Sequence, residues 1–347
     1  MWFYSVIFFL LLTLAGIGYI CKYPKLIYWL CIFFLIIIAG LRPETCCQDY
    51  GEYINYYSNL SSIPLTFLEP TFFLISWISN LLFHSYIGIF LVYSILGVGL
   101  KGLAIVKLTK YFSVSLALYF GSYFLLHEMT QIRVGVASSI LLLSIPYIQQ
   151  KKPYHFFTLI LLGCLFHYSL VLFMFFYAVN PKQINKKLYI VTIFTVFVIT
   201  LLGLNILSVL SIIKLGFLTQ KIEAYQLLLD KGMFGGISLI NPLLFLRIAI
   251  ATFFILYYQI LLLKCKYSLV ITKIYVVSIL SFILLSPLPV LAGRVSQLLG
   301  VVEIILIPYL IHIIRPKYVA LITVIFFSML IMYKQLYYSD LMSGYFK

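Results

Sequence analysis

Apolar runs of about twenty residues, separated by short polar turns, recur along the whole chain. An α-helix rising about 1.5 Å per residue needs roughly 20 apolar residues to cross ~30 Å of hydrocarbon. The pattern predicts helices at about 2–20, 26–41, 70–84, 86–106, 113–127, 129–149, 154–178, 187–207, 242–263, 270–285, 294–313 and 318–338. The first run, Met1 to Ile20, has neither a positive leading segment nor a small-residue cleavage site and reads as a retained helix. No run alternates polar and apolar positions as the strands of an outer-membrane barrel do. The predicted class is all-α: a polytopic integral membrane helical bundle of about ten to twelve transmembrane helices. It forms one domain over residues 1–347, with external connections at about 42–69 and 208–241.

Composition closes off the alternatives. With 64% hydrophobic residues, 10% charged residues and a mean hydropathy of +1.11, the chain is no water-soluble domain. A net charge of +15 would suggest nucleic acid in a soluble protein. Here the lysines sit mostly in turns such as Lys151-Lys152 and Lys186-Lys187, which is an orientation signal, and no nucleic-acid partner is expected. Lys22 and Lys25 put the first turn in the cytoplasm and the 42–69 connection outside. That connection holds four of the nine acids, Glu44, Asp49, Glu52 and Glu69, and no lysine. Lys264, Lys266, Lys273, Arg315 and Lys317 place their turns inside, so Pro287 to Gly293 falls outside. The turns at Lys107/Lys110, Lys151/Lys152 and Lys182 to Lys187 also read as cytoplasmic, and simple alternation cannot satisfy all of these. Segments 70–84 and part of 154–178 are therefore expected to be short, re-entrant or broken. The six cysteines have no metal-ligand spacing and receive no zinc or redox role; no cofactor is expected and no motif compels a metal, a magnesium ion held by carboxylates being the one alternative left open.

Lysine does the topological work, so the five arginines need separate reasons. Arg42 ends the second helix in Gly40-Leu41-Arg42-Pro43, Arg133 lies in the first turn of an apolar helix after Gln131, and Arg294 opens a helix after the breaker-rich run Ser286 to Gly293. A guanidinium near hydrocarbon costs about 2.5 kcal/mol or more, so it either snorkels to an interface or faces a wet cavity or an anion. Its planar fork suits a diphosphate, and several on one face would form a cradle. Arg247 and Arg315 read as interfacial.

The acidic segment supplies the remaining chemistry. Asp49, Glu52, Tyr53 and Tyr56 fall at helical spacing, predicting a short amphipathic surface helix. Carboxylates there could bind sugar hydroxyls or act as a general base, and tyrosines could stack on sugar faces; interfacial anchoring and a structural Arg42–Asp49 pair are the plain alternatives. Glu69 precedes Pro70, where an acid can simply favour a helix N-terminus. His167 lies near the middle of an apolar segment, as a packed residue or, together with Arg133, as part of an active site. Glu128 could orient Gln131 or Arg133, or cap the helix. His84, His127 and His155 sit at segment ends. No nucleotide-binding loop or hydrolase motif is present.

Gly40-Leu41-Arg42, Asp49-Tyr50 with Tyr53, Gln131-Ile132-Arg133 and Phe166-His167-Tyr168-Ser169 resemble, in order and spacing, the EpsG family of Wzy-like polysaccharide polymerases over roughly residues 35–180. Val134 departs from the glutamine that such proteins often carry after the motif arginine. The resemblance implies a multi-pass enzyme of the bacterial inner membrane with a C-type glycosyltransferase-like architecture. It would join undecaprenyl-diphosphate-linked oligosaccharide repeat units at the outer leaflet, for capsule, exopolysaccharide or O-antigen, with a chain-length regulator as a partner. In that setting Arg133, with Arg42 or Arg294, would bind the diphosphate, Asp49 or His167 would orient or deprotonate the acceptor hydroxyl, and Tyr53, Glu69 and Gln131 would contact substrate. A lipid-carrier-dependent glycan ligase or glycosyltransferase, and a flippase or transporter of the lipid-linked unit, are the rival readings.

Overall fold

The computed structural model describes residues 2–20, 24–44, 46–47, 49–64, 68–203 and 237–338, the side chains of residues 2 and 15–20 aside. The described residues are helical throughout and fall into two compact units, residues 1–179 with 304–347, and residues 180–303. The first unit contains α1 (Trp2–Ile20), α2 (Pro24–Gly40), α3 (Asp49–Ser58), α4 (Pro70–Phe83), α5 (Ile87–Leu108), α6 (Phe112–Tyr119), a π-helical segment (Phe120–Thr130), α7 (Ile132–Gln149), α8 (Pro153–Cys164) and a 3₁₀ segment (Tyr168–Ala178). The second contains α9 (Lys186–Leu201), α10 (Pro242–Leu256), α11 (Tyr258–Lys264), α12 (Ser268–Leu284), α13 (Pro289–Gly300) and the start of α14 (Glu303–Leu306). A second 3₁₀ segment (Ile307–His312) and α15 (Lys317–Tyr337) complete the first unit.

Four helices, Ile87–Leu108, Ile132–Gln149, Pro289–His312 and Lys317–Tyr337, are long and apolar enough to cross a membrane. α10 and α11 together pass the same test as one span bent by 68°. Shorter apolar helices include α2, α4, α8, the first 3₁₀ segment and α12. The polytopic helical architecture is as expected, and among the described residues the predicted segments divide into four or five of full spanning length and a set of shorter helices. The predicted helix at 242–263 is interrupted at Tyr257. The helix expected to open at Arg294 instead starts at Pro289, a residue suited to a first helical turn because its missing N–H is not needed there. Residues 204–236, which include most of the expected 208–241 connection, lie outside the described residues.

Two excursions in the first unit, at the segments expected to be short or broken, bear on the conflict among the lysine turns. α8 is only twelve residues long, and after His167 the chain returns as the 3₁₀ segment. Lys151, just before α8, donates hydrogen bonds to the carbonyls of Tyr177 and Val179, so the hairpin ends where it began. Gly163 permits this tight return, because a Cβ there would collide with the Leu170 side chain. Residues 42–86 also leave and return at one end. Tyr86 donates to Glu44, and Tyr57 donates to Asn80 Oδ1 at 3.2 Å, while the start of α4 lies deeper, with Phe72 against Tyr93. α4 therefore runs alongside α5 without traversing the bundle.

Between lipid-facing helices, packing and buried polar contacts hold the structure, because hydrocarbon tails are as apolar as leucine. The first unit is centred on α5, α7 and the π-helical segment. The last turn of that segment closes with an N–H of Gln131 bonded to the carbonyl of Leu126 at 2.8 Å, five residues back. A π-turn displaces side chains from the ordinary helical register and is often found at functional sites. Here it aims Glu128 inward to pair with Lys101 of α5, both side chains being fully buried.

Candidate functional site

Glu69 sits between two helices that sequence alone left unconnected. The residue before a proline prefers extended backbone, and Glu69 has φ −69° and ψ 144°, which ends the 42–69 connection and starts α4 at Pro70. At the second residue of α4, Thr71 Oγ1 donates to the carbonyl of Leu165 at 2.7 Å, pinning α4 to the tip of the α8 hairpin. Tyr168 donates to the carbonyl of Leu68 at 3.3 Å from the other side of that tip. These contacts bring His167 Nδ1 to 3.0 Å from Glu69 Oε1. Arg133, in the first turn of α7, donates through Nη1 to the second carboxylate oxygen.

The resulting Arg133–Glu69–His167 cluster is partly accessible: the arginine and histidine side chains are 21% and 13% exposed, and that of Glu69 is 5% exposed. Burial would push the Glu69 carboxyl up, but the His167 hydrogen bond and the Arg133 charge outweigh it and hold the group below the usual carboxylate range. An ionised carboxylate can only accept, so Nδ1 of His167 carries the proton toward Glu69. In neutral His167 this leaves the lone pair on Nε2, a buried atom with no hydrogen-bond partner among the described residues.

Tyr53 of α3 covers the cluster, with the Arg133 guanidinium carbon 5.9 Å from its ring centre. Its ring is tilted against Phe72 and edge-on to Tyr56. Burial, reinforced by the negative charge of Asp49 and opposed by Arg133, pushes the Tyr53 hydroxyl up to about 12, so it remains a hydrogen-bond donor at neutral pH. The predicted surface helix is present, but Tyr50 and Tyr53 form its buried side while Glu52 is exposed. Asp49 is its first residue and acts on Tyr53 through charge.

Arg42 is held by backbone through one of its guanidinium nitrogens. It is 5% exposed, and its Nη1 donates to the carbonyls of Glu128 and Met129 at 2.7 and 2.5 Å. A cation at the C-terminus of a helical segment satisfies orphan carbonyls and opposes the dipole, so Arg42 caps the π-helical segment. Its guanidinium also lies 4.4 Å from the centre of the Phe90 ring, and Cys47 Sγ donates to the Met129 carbonyl at 2.8 Å. The Nε and Nη2 atoms of Arg42 and Oε1 of Gln131, the residue joining the π-helical segment to α7, have no hydrogen-bond partner among the described residues.

Arg294 is exposed on α13, in the second unit. Other sequence-derived assignments change. Glu128 neither caps α7 nor orients Arg133; it pairs with Lys101. His127, expected at an undemanding segment end, is completely buried with Nδ1 3.2 Å from Ser138 Oγ. In the second unit Arg247 has a buried partner that the sequence did not reveal: its Nη2 lies 3.4 Å from Oε1 of the fully buried Glu303. Glu303 and Lys101 received no role from the sequence, although an acid or a lysine within an apolar run is itself the signal of a buried partner. Among the described residues no group of three or more His, Cys, Asp or Glu side chains could hold a metal ion.

A profile of the EpsG family matches residues 25–347. The chain belongs to the EpsG family. The match extends well beyond the 35–180 stretch that carried the resemblance and takes in the second unit. EpsG membership associates this multi-pass membrane protein with polysaccharide biosynthesis. No curated protein and no solved structure matches the chain.

Proposed function

We propose that this EpsG-family protein is a polysaccharide polymerase that joins undecaprenyl-diphosphate-linked oligosaccharide repeat units at the outer leaflet of the bacterial inner membrane. The observation that supports this reading is the Arg133–Glu69–His167 cluster, a permanent cation and an oriented imidazole held by one carboxylate. Glu69 fixes the His167 tautomer, leaving Nε2 as the general base for the acceptor sugar hydroxyl. The acceptor oxygen attacks the anomeric carbon of the donor chain as its proton passes to His167. The bond from that carbon to the diphosphate oxygen breaks, and undecaprenyl diphosphate departs with the electron pair. The accessible part of the Arg133 guanidinium stabilises the charge that accumulates on the diphosphate, a contribution that is often the largest in such reactions. A single displacement of this kind inverts the anomeric centre. Asp49 and Tyr53 border the acceptor side, and Gln131 offers its amide to sugar hydroxyls.

The test is purified protein supplied with a defined undecaprenyl-diphosphate-linked repeat unit. A ladder of products is expected, lost in Arg133→Ala and in His167→Ala while folded protein persists in the membrane. One singly modified acceptor in place of a ladder would make the protein a ligase or single-sugar transferase. Trans-bilayer movement of the unit with no new glycosidic bond would make it a flippase.

A further inference from the structure

We infer that the lysine-bearing end of the first unit holds an anionic diacyl phospholipid of the adjacent leaflet. A cavity of about 360 Å³ opens there, bounded by α1, the start of α2, α6, the first half of α15 and the second 3₁₀ segment. That volume falls within the roughly 300–1,000 Å³ typical of small-ligand sites. Its walls are hydrocarbon, including Leu118, Ile311, Leu321 and Val324, while Lys110 and Lys317, both exposed, stand among its lining residues. Among the described residues no acid lines it. The first turn of α6, Phe112 to Val114, also lies on the lining, so backbone N–H groups not used within the helix add to the positive field.

The two halves of this lining select the occupant. A soluble anion would use the lysines and leave the hydrocarbon wall bare, and a neutral lipid would use the wall and leave the lysines unpaired. An anionic phospholipid satisfies both, with its phosphate between Lys110 and Lys317 and an acyl chain in the cavity. Basic pockets between helices on the positively charged side of a membrane protein bind such headgroups, each lysine strengthening attachment about fivefold. The site lies at the far end of α2 and α5 from Glu69, and it stands independently of the proposed polymerase chemistry.

The experiment uses full-length protein in detergent and phosphatidylglycerol with a photoreactive group in its acyl chain, with identically tagged phosphatidylcholine as control. Phosphatidylglycerol should label peptides from α6 and α15, and K110Q/K317Q should reduce that labelling at least tenfold. Phosphatidylcholine should label weakly and equally in both proteins. Leu321→Trp, which fills the cavity and keeps both lysines, should also reduce labelling in protein whose thermal unfolding is unchanged. Equal labelling by the two lipids, label confined to other helices, or full labelling of K110Q/K317Q would overturn the assignment. Complete displacement by millimolar inorganic phosphate would overturn it too, in favour of a free-anion site.

Discussion

Glu69 Oε1 lies 3.0 Å from His167 Nδ1 although 98 residues separate them, and the same carboxylate accepts from Arg133. One acid therefore sets both the tautomer of the imidazole and the position of the cation. In the proposed mechanism Glu69 is a positioning residue, and replacing it should affect turnover more than substrate affinity. Glu69→Gln keeps the shape and a hydrogen-bond acceptor but loses the charge. Its polymer yield should fall through kcat, with KM for the lipid-linked unit changed less; an unchanged kcat would remove Glu69 from the proposed mechanism.

The same carboxyl makes stability depend on pH in a defined sense. Its folded-state pKa is depressed, so the folded protein holds that proton less readily than the unfolded chain does. The stabilisation is complete above the ordinary carboxylate range and is lost as pH falls through the lower folded value. Thermal unfolding in detergent should show wild type above Glu69→Gln by a constant margin near neutrality, with the margin closing only in acid below the usual carboxylate range. A gap that closes already between pH 7 and pH 5 would contradict this.

Lys101 and Glu128 form an ion pair with both side chains fully buried in the first unit. Removing one partner of such a pair leaves an uncompensated charge and costs about 3–5 kcal/mol, whereas removing both can be nearly neutral. Lys101→Met alone should therefore destabilise strongly, and Lys101→Met with Glu128→Gln should recover most of the loss. A double-mutant cycle on unfolding in mixed detergent measures the coupling, and additive single effects would show that the charges do not depend on each other.

Much of this fold is legible in the sequence because spanning helices are signalled by long apolar runs and their ends by lysine. The short segments at 70–84 and 154–178 were legible as well, through a conflict: alternating complete crossings cannot make the turns at Lys107/Lys110, Lys151/Lys152 and Lys182 to Lys187 all cytoplasmic. Arg133, His167 and Tyr53 stood out as polar or aromatic residues in telling positions. What pattern could not reveal is partnership. Glu69 reads as an ordinary helix-start acid until Thr71 is seen bonded to the carbonyl of Leu165, which carries His167 to it. Arg42 reads as an anion ligand because the carbonyls that occupy it belong to a π-turn, and no residue type announces a π-turn.

Glu128 can reach Lys101 only because α5 and α7 carry glycine where it passes. A Cβ at Gly135 would lie 2.7 Å from Glu128 Oε2 and 2.8 Å from the carbonyl oxygen of His127, and that second neighbour is backbone. Gly135→Ala should cost about 1–3 kcal/mol by overpacking. Gly99, on α5, provides the control, because a methyl group added there would meet nothing within 4 Å. Gly99→Ala should be neutral or stabilising by up to about 1 kcal/mol through helix propensity. Equal thermal shifts in the two variants would mean that the contact at Gly135 relaxes.

Arg42 separates a capping role from direct anion binding. Its Nη1 holds the Glu128 and Met129 carbonyls, and hydrogen bonds from a charged donor contribute about 1.5–3 kcal/mol each. Arg42→Met strips both and should lower the unfolding temperature and the yield of folded protein, while the molecules that do fold keep a KM for the lipid-linked unit close to wild type. Arg42→Lys retains a cation for the carbonyls but loses the flat contact with Phe90, so it should fall between the two in stability. A residue that gripped the diphosphate would behave in the opposite way. Methionine would then leave unfolding unchanged and raise KM sharply, and measuring both quantities on the same three proteins distinguishes the two roles.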